Sequence, residues 1–329
     1  TALLSTVAVL LFYLICNKYK LNATAGALML AFTPVFYIQS TNAMDYNWSL
    51  CFLLASLYFA GRRNIFLAAL TLALATGCRI TAILFLLPLC IYLYKADKSR
   101  KQISQLLILT PIFSALCYLP LILKYQLKFL TYVNQFGYPS VLKTIYKASF
   151  GVWGTLGFVV VGIAFVFAVQ NILFHQQSRK YKPILFGAFS AIIIYTLLFL
   201  YEPHKSAYLI PVIPFVILVI LIAHQDKLWP MLVTTSLVLS CFFAGINLAE
   251  PNRSALPGKY ALTRKVGNLR ICFDPFSGNV SDDYAKRTQR IKYAVSVIEK
   301  AHLLQGRNAV ICGYWVNMIS ILSIGQLNQ

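Results

Sequence analysis

Acids are so scarce in this chain that each can be weighed individually. Before residue 248 there are four: Asp45, Asp97, Glu202 and Asp226. Asp97 and Asp226 sit beside Lys95, Lys98 and Lys227 and read as charge-balancing loop residues. Asp45 stands in a short polar turn, Ser40–Asn47, between two apolar runs. A carboxylate there can act as a base at the rim of a cavity, or be a solvated loop acid near a helix N-terminus, where negative charge is mildly favoured. Arg79 closes the stretch Thr76-Gly77-Cys78-Arg79 inside the apolar segment 64–94. An isolated arginine in an apolar layer costs ~2.5–3.5 kcal/mol on insertion scales, so such a residue faces a polar cavity and counter-ion, pairs with helix carbonyls, or snorkels to the surface.

A third cluster runs from Glu202 through His204 and Lys205 to Tyr208, followed by Pro211 and Pro214. An acid, a histidine and a lysine at one span end can bind a phosphate and poise a proton donor, because a cation near phosphate is worth most where water is excluded. The plainer reading makes Lys205 and Tyr208 interfacial anchors and the prolines a helix kink. Residues 138–149 place Val141, Leu142, Ile145 and Tyr146 on one helical face and Lys143 and Lys147 on the other, as in a helix lying on a membrane surface. Guarding the access of an anionic lipid is a second reading of the same pattern. There is no GxxxxGK[ST], no GxGxxG and no HExxH, so ATP-driven pumping and dinucleotide chemistry lack support. The eight cysteines form no CxxC pair and no zinc spacing; Cys272 and Cys312 lie in the polar tail, where a disulfide between them is compatible with the sequence. The residues name no metal site.

The elements that must position these residues are apolar helices. Hydrophobic residues make up 59% of the chain and charged residues 12%, half the charge of an ordinary globular domain. Segments 151–174 and 207–223 carry no Asp, Glu, Lys or Arg. Lipid offers the backbone no hydrogen-bond partner, and these runs are too long and uniform for alternating barrel strands, so they are expected as helices. Spans are expected near 1–16, 22–39, 45–60, 103–123, 151–174, 184–201, 207–224 and 228–247. Segment 64–94 is expected as a re-entrant-like helical hairpin, because its first arm of about 12 residues reaches only ~18 Å. The fold class is thus an all-α polytopic membrane protein of about eight spans, residues 1–247. A small α/β region, residues 248–329, follows: a strand at Arg270–Phe273, a helix from Ser281 to Leu304 and a strand at Asn308–Trp315, in a βαβ-like unit.

The formal net charge of +20 suggests nucleic acid until it is mapped. Lys18, Lys20, Arg62, Arg63, Lys95, Lys98, Arg100, Lys101, Arg179, Lys180, Lys182 and Lys227 all fall on one side of the expected topology, which the positive-inside rule makes cytoplasmic. Nucleic acid is therefore not expected as a partner. Asp45, segment 125–150, Glu202–Ser206 and the C-terminal region are then exoplasmic.

Three stretches carry a resemblance. Thr33-Pro34 through Asp45-Tyr46, Leu72–Arg79 within Phe59–Leu87, and His204-Lys205 with Tyr208–Pro211 resemble the GT-C superfamily of integral membrane glycosyltransferases, above all its protein O-mannosyltransferase and aminoarabinose-transferase branch. The likeness covers roughly residues 1–247. It implies a polyprenyl-phosphate-linked sugar as donor, a lipid, glycan or protein as acceptor, a divalent metal as a compatible cofactor, and a site on the exoplasmic face of a multi-pass protein of the bacterial plasma membrane. Asp45 would match a supporting acid of that family, with Arg79, Glu202, His204, Lys205 and Tyr208 on the substrate side. The family's principal acid follows its first span, and its absence here implies that the chain begins within the second. A transporter or flippase for a lipid-linked glycan, and a non-catalytic scaffold displaying the C-terminal region, are the alternatives.

Overall fold

A computed structural model describes residues 1–97, 99–126, 138–174, 179–226, 228–249, 260–267 and 269–303. The chain is mostly helical, with a small three-stranded sheet. Helices α1 (Ala2–Lys18), α2 (Ala23–Ala31), α3 (Pro34–Ser40), α4 (Tyr46–Gly61), α5 (Ile65–Cys78), α6 (Leu86–Asp97) and α7 (Arg100–Tyr125) form the first half. After them come α8 (Val141–Ala148), α9 (Phe150–Trp153), α10 (Thr155–Phe174), α11 (Lys182–Tyr201), α12 (Ile213–Ala223) and α13 (Leu228–Phe242). The sheet of β1 (Gly245–Ala249), β2 (Leu262–Val266) and β3 (Leu269–Asp274) leads into α14 (Asn279–Leu303).

Local chemistry sets several helix boundaries. Side chains of Asn22, Asn64 and Ser99 accept from the backbone N–H groups of Ala25, Leu67 and Gln102, satisfying donors that an open helix end leaves unpaired. Pro34 lacks an N–H and begins α3, where the chain turns by 68° from α2.

Among the described residues four helical segments are long and apolar enough to cross a membrane: Arg100–Tyr125, Thr155–Phe174, Lys182–Tyr201 and Ser206–Ala223; the bent pair α2–α3 makes a fifth if it is one span. The other expected spans, near 1–16, 45–60 and 228–247, contain shorter helices, so four or five spans are seen in place of the eight expected. Helix α13 has 15 residues, about 23 Å of rise, and hands over to β1, so the expected span 228–247 is cut at Phe242. Helix α1 has 17 residues and α4 has 16.

Ser206–Ala223 is the hub, 78% buried within the molecule against 17% for the peripheral α7. Every residue from Ile213 to Ile222 is buried. Around it pack large side chains without solvent exposure, among them Phe12, Leu50, Leu53, Leu72, Phe85 and Tyr195. Phe85 stacks on Phe215, with ring centroids 5.4 Å apart.

The hairpin expected at 64–94 has its turn at Arg79, between α5 and a 3₁₀ turn, Ile80–Phe85, that leads into α6. Its two feet share one end of the bundle: Lys18 donates to the carbonyl of Gly61, and Tyr19 meets Tyr92 at 3.0 Å through their hydroxyls. Lys180 reaches the carbonyl of the same Tyr19 at 3.4 Å. Lys18 and Lys180, two of the basic residues expected together, therefore meet at the end opposite Asp45.

In the C-terminal unit the expected strand Arg270–Phe273 and the expected helix from Ser281 correspond to β3 and α14, with two further strands ahead of them. β3 lies between β1 and β2 and pairs antiparallel with both, so the sheet is an antiparallel ribbon ahead of α14. β1 starts at Gly245, so the sheet begins before the expected division at 247/248. The strand expected at Asn308–Trp315 and Cys312 of the proposed disulfide lie outside the described residues; Cys272 is buried in β3.

This unit is clamped onto the Asp45 end. Asn279 donates to the carbonyl of Phe150 at 2.9 Å, Tyr146 to that of Ile246 at 2.9 Å, and Arg287 to that of Ile38 at 3.2 Å. Burial raises the Tyr146 hydroxyl above the usual tyrosine range, which keeps it a donor. Asp283 holds Arg287 one helical turn on, at 2.5 Å. At Gly278 the backbone comes so close to the end of α13 that a Cβ would stand 2.4 Å from the backbone of Cys241 and Phe242. No rotamer change relieves a clash with main chain. Gly278→Ala is expected to cost about 1–3 kcal/mol, as overpacking does. A lower unfolding temperature with faster proteolysis within 245–303 would show it; an unchanged digestion pattern would refute the close docking.

Candidate functional site

The break between α5 and the following 3₁₀ turn leaves Arg79 in extended backbone, φ −145° and ψ 116°. Its N–H still closes the helix on the Ala75 carbonyl at 2.9 Å, and its own carbonyl accepts from Ala82 at 2.8 Å. The side chain is thereby thrown clear of both helices. It meets Asp45, which opens α4: one guanidinium nitrogen lies 3.3 Å from each carboxylate oxygen. The pair is partly covered, with side-chain exposures of 23% for Arg79 and 43% for Asp45, so it belongs to neither bulk water nor the core.

Two aromatic faces complete the arginine's surroundings. The guanidinium carbon lies 4.2 Å from the centroid of Tyr46 and 5.1 Å from that of Tyr208. The rings contact each other at 6.0 Å. Planar, weakly hydrated guanidinium suits such stacking better than an ammonium. Expected site residues Asp45, Arg79 and Tyr208, from three separate stretches, thus meet at one point.

The first turn of α4, which carries Asp45 and Tyr46, is held from below by Asn47. That residue has no solvent exposure and donates to Ser5 at 2.9 Å and to the Phe36 carbonyl at 3.2 Å. Ser49, on the same turn, donates to the Ala75 carbonyl at 3.2 Å, tying α4 to the end of α5. Tyr118 of α7 donates to the next carbonyl, that of Thr76, at 2.6 Å. Ser49 thus adds a second bond to the carbonyl that Arg79 already uses, and Tyr118 occupies the one beyond it, so side chains of two neighbouring helices brace the helix end beside the arginine.

Behind the pair lies a cavity of about 20 Å³, lined by Tyr46, Ser49, Arg79, Thr81, Tyr195 and Tyr208 among others. That is room for about one water. Tyr195 reaches it from the middle of α11, its hydroxyl 3.4 Å from the Ala82 carbonyl.

Glu202, His204 and Lys205 are not among the residues lining the cavity. They occupy the turn beside it. Glu202 ends α11, its carbonyl accepting from the His204 N–H at 2.9 Å, and Lys205 is exposed. The turn is held by Lys147, whose ammonium donates to the Pro203 carbonyl at 3.1 Å. Burial, with Lys143 nearby, lowers the Lys147 pKa from the usual lysine value. Gly151 lies against the same turn: a Cβ there would stand 2.3 Å from the Ser206 hydroxyl.

A larger cavity, about 480 Å³, lies at the opposite end, beside His224, Asp226 and Trp229. His224 is buried, hydrogen-bonded to the Ala164 carbonyl at 3.1 Å and stacked on Trp229. The wholly apolar α12 separates it from Arg79. No cluster of three or more metal-ligating side chains occurs among the described residues.

Sequence reasoning missed Tyr46, Ser49, Thr81 and Tyr195 as members of the site. Tyr46 carried a signal, since it follows Asp45 directly, and Ser49 lies one turn further on the same helix face. Tyr195 carried none: an aromatic in an apolar run reads as core. Comparison with protein-family models, with curated proteins and with solved structures finds no match.

Arg79→Met and Tyr208→Leu, alone and together, form a cycle that measures the stacking. Its coupling is expected at about 0.5–2 kcal/mol, the range of cation–π contacts from exposed to desolvated. Additive losses of unfolding free energy in detergent would show that the ring contributes nothing to holding the arginine.

Proposed function

We propose that the chain is a glycosyltransferase-type membrane enzyme that takes a sugar from a polyprenyl-phosphate carrier at the Asp45 end of the bundle. The observation that carries this reading is the meeting of Asp45, Arg79 and Tyr208, three residues far apart in sequence, at a partly covered rim, with the exposed Lys205 in the turn leading to Tyr208. The gathering of Lys18, Arg62, Lys95 and Lys180 at the other end supports an exoplasmic placement of the site by the positive-inside rule.

The chemistry is displacement at the anomeric carbon: the acceptor hydroxyl forms the new bond, the bond to the carrier phosphate breaks, and the electron pair leaves with the phosphate. A lipid phosphate is already stable as an anion, so the protein has to orient the donor, neutralise developing charge and accept the hydroxyl proton. Arg79 supplies a forked donor for the phosphate, held in place by its two ring faces, and Lys205 a second cation at the mouth. Phosphate engaging Arg79 would release Asp45 from its ion pair beside the acceptor, where a carboxylate can take the proton. The cavity is water-sized, so the sugar would lie at the rim, over the exposed sides of Asp45 and Lys205. The acceptor, whether lipid, glycan or protein, would approach from the same open side, and a divalent metal would have to come with the donor phosphate, since the described residues hold no cluster for it.

A lipid-glycan flippase would need polar groups leading from this rim to the opposite end. The hub from Ile213 to Ile222 offers none, which disfavours that reading. The scaffold reading makes no use of the Asp45–Arg79 geometry.

The test is transfer of labelled sugar from polyprenyl phosphate by membranes containing the protein. Arg79→Ala is expected to lower the rate about 10²–10³-fold, the effect of removing one preorganised donor to developing charge, with Arg79→Lys recovering only part. Asp45→Asn should abolish transfer while leaving donor binding in place. Unchanged rates in all three variants would remove the site assignment.

A further inference from the structure

The face that α8 presents outward is the reverse of what water would select. Among its eight residues, polar groups turn inward: Thr144 is buried, Tyr146 bonds the Ile246 carbonyl, and Lys147 bonds the Pro203 carbonyl. Val141, Leu142 and Ile145 turn outward, with exposures of 73%, 39% and 56%. The segment just before the helix is pinned as well. Tyr138 donates to the Leu200 carbonyl at 2.7 Å, one of the last in α11 and otherwise without an intrahelical partner. On α11, whose end Tyr138 caps, Leu197, Leu200 and Tyr201 are exposed in the same manner. α11 is one of the four segments able to cross a bilayer.

We propose that α8 is an in-plane membrane contact: its Val141–Leu142–Ile145 face sits among phospholipid acyl chains of the leaflet at the Asp45 end, and Lys147 transmits that seating to the turn carrying His204 and Lys205. The occupant is lipid because the face is apolar, because the segment before it is pinned to the end of a helix of bilayer-spanning length, and because Tyr146 and Lys147 make their hydrogen bonds on the inner side. An amphipathic helix binds an interface by burying such a face at the boundary between headgroups and acyl chains. The coupling is mechanical. Pro203 is held by Lys147, and Ser206 is pressed by Gly151 of α9, immediately after α8. A shift of α8 in the bilayer plane therefore moves the turn beside Tyr208. This inference rests on the membrane reading of the fold and stands without the transferase chemistry.

The experiment places the photoreactive residue p-benzoylphenylalanine at Ile145, at Leu197 on α11, and at Tyr284, 72% exposed on α14, in protein reconstituted into phosphatidylcholine nanodiscs. Phospholipid adducts read by mass spectrometry at Ile145 should match those at Leu197 and exceed those at Tyr284 severalfold, because only a face buried at the acyl-chain boundary stays in contact with lipid. Adducts at Leu197 with none at Ile145, or covalent chain dimers through Ile145, would overturn the assignment of α8. Absence at both positions would overturn the membrane reading itself. For the coupling, Lys147→Met should speed hydrogen exchange of the 204–206 amides several-fold while adducts at Ile145 persist; unchanged exchange would show that α8 does not hold the turn.

Discussion

A guanidinium group inside an otherwise apolar bundle is tolerable only where something offsets its lost hydration. At Arg79 three groups do so together: the Asp45 carboxylate at 3.3 Å and the ring faces of Tyr46 and Tyr208. They come from separate parts of the chain, so the arrangement exists only if α4, α5 and the turn before α12 are packed in register. Conversely, a helix that ended elsewhere than Cys78 would point the arginine into a neighbour or into the apolar surround. The break at Arg79 and the ion pair are therefore one structural fact viewed from the backbone and from the side chain.

Around this point the molecule uses its side-chain hydrogen bonds to close helix ends. Ser49 and Tyr118 take the carbonyls of Ala75 and Thr76, and Tyr138 and Lys147 take those of Leu200 and Pro203. Arg287 adds a bond to the Ile38 carbonyl, which Thr41 also uses. Unmet carbonyls are costly wherever water is excluded, and the concentration of such caps at the Asp45 end makes that end rigid. It also explains why the antiparallel sheet and α14 are part of the same assembly: their docking contacts are helix-end contacts, made by Arg287 and Asn279.

The opposite end is organised by charge. Lys18, Arg62, Lys95 and Lys180 lie over carbonyls or aromatic rings there, and their chains lie along apolar surface as long cationic side chains do. The two ends thus differ in kind, one basic and one built around a carboxylate–guanidinium pair. The apolar hub between them gives no polar route from one to the other.

What the amino-acid sequence determined by itself was whatever depends on composition over a window: helical runs, their apolar character, the break at Thr76–Arg79, and the sorting of basic residues to one side. These follow from local hydropathy and from the scarcity of acids, which made Asp45 and Arg79 stand out. Which short runs are long enough to cross a bilayer was not legible, since α13 stops at Phe242 because β1 has to start, and a pairing partner about 25 residues away is invisible to a window. The antiparallel order of the sheet was hidden for the same reason. Only the tertiary structure decided that Tyr46 and Tyr208 flank the arginine, that Tyr195 reaches the cavity from mid-helix, and that α8 shows its apolar side outward. Each of those is a question of which face meets which neighbour, and periodicity defines a face without saying what lies against it.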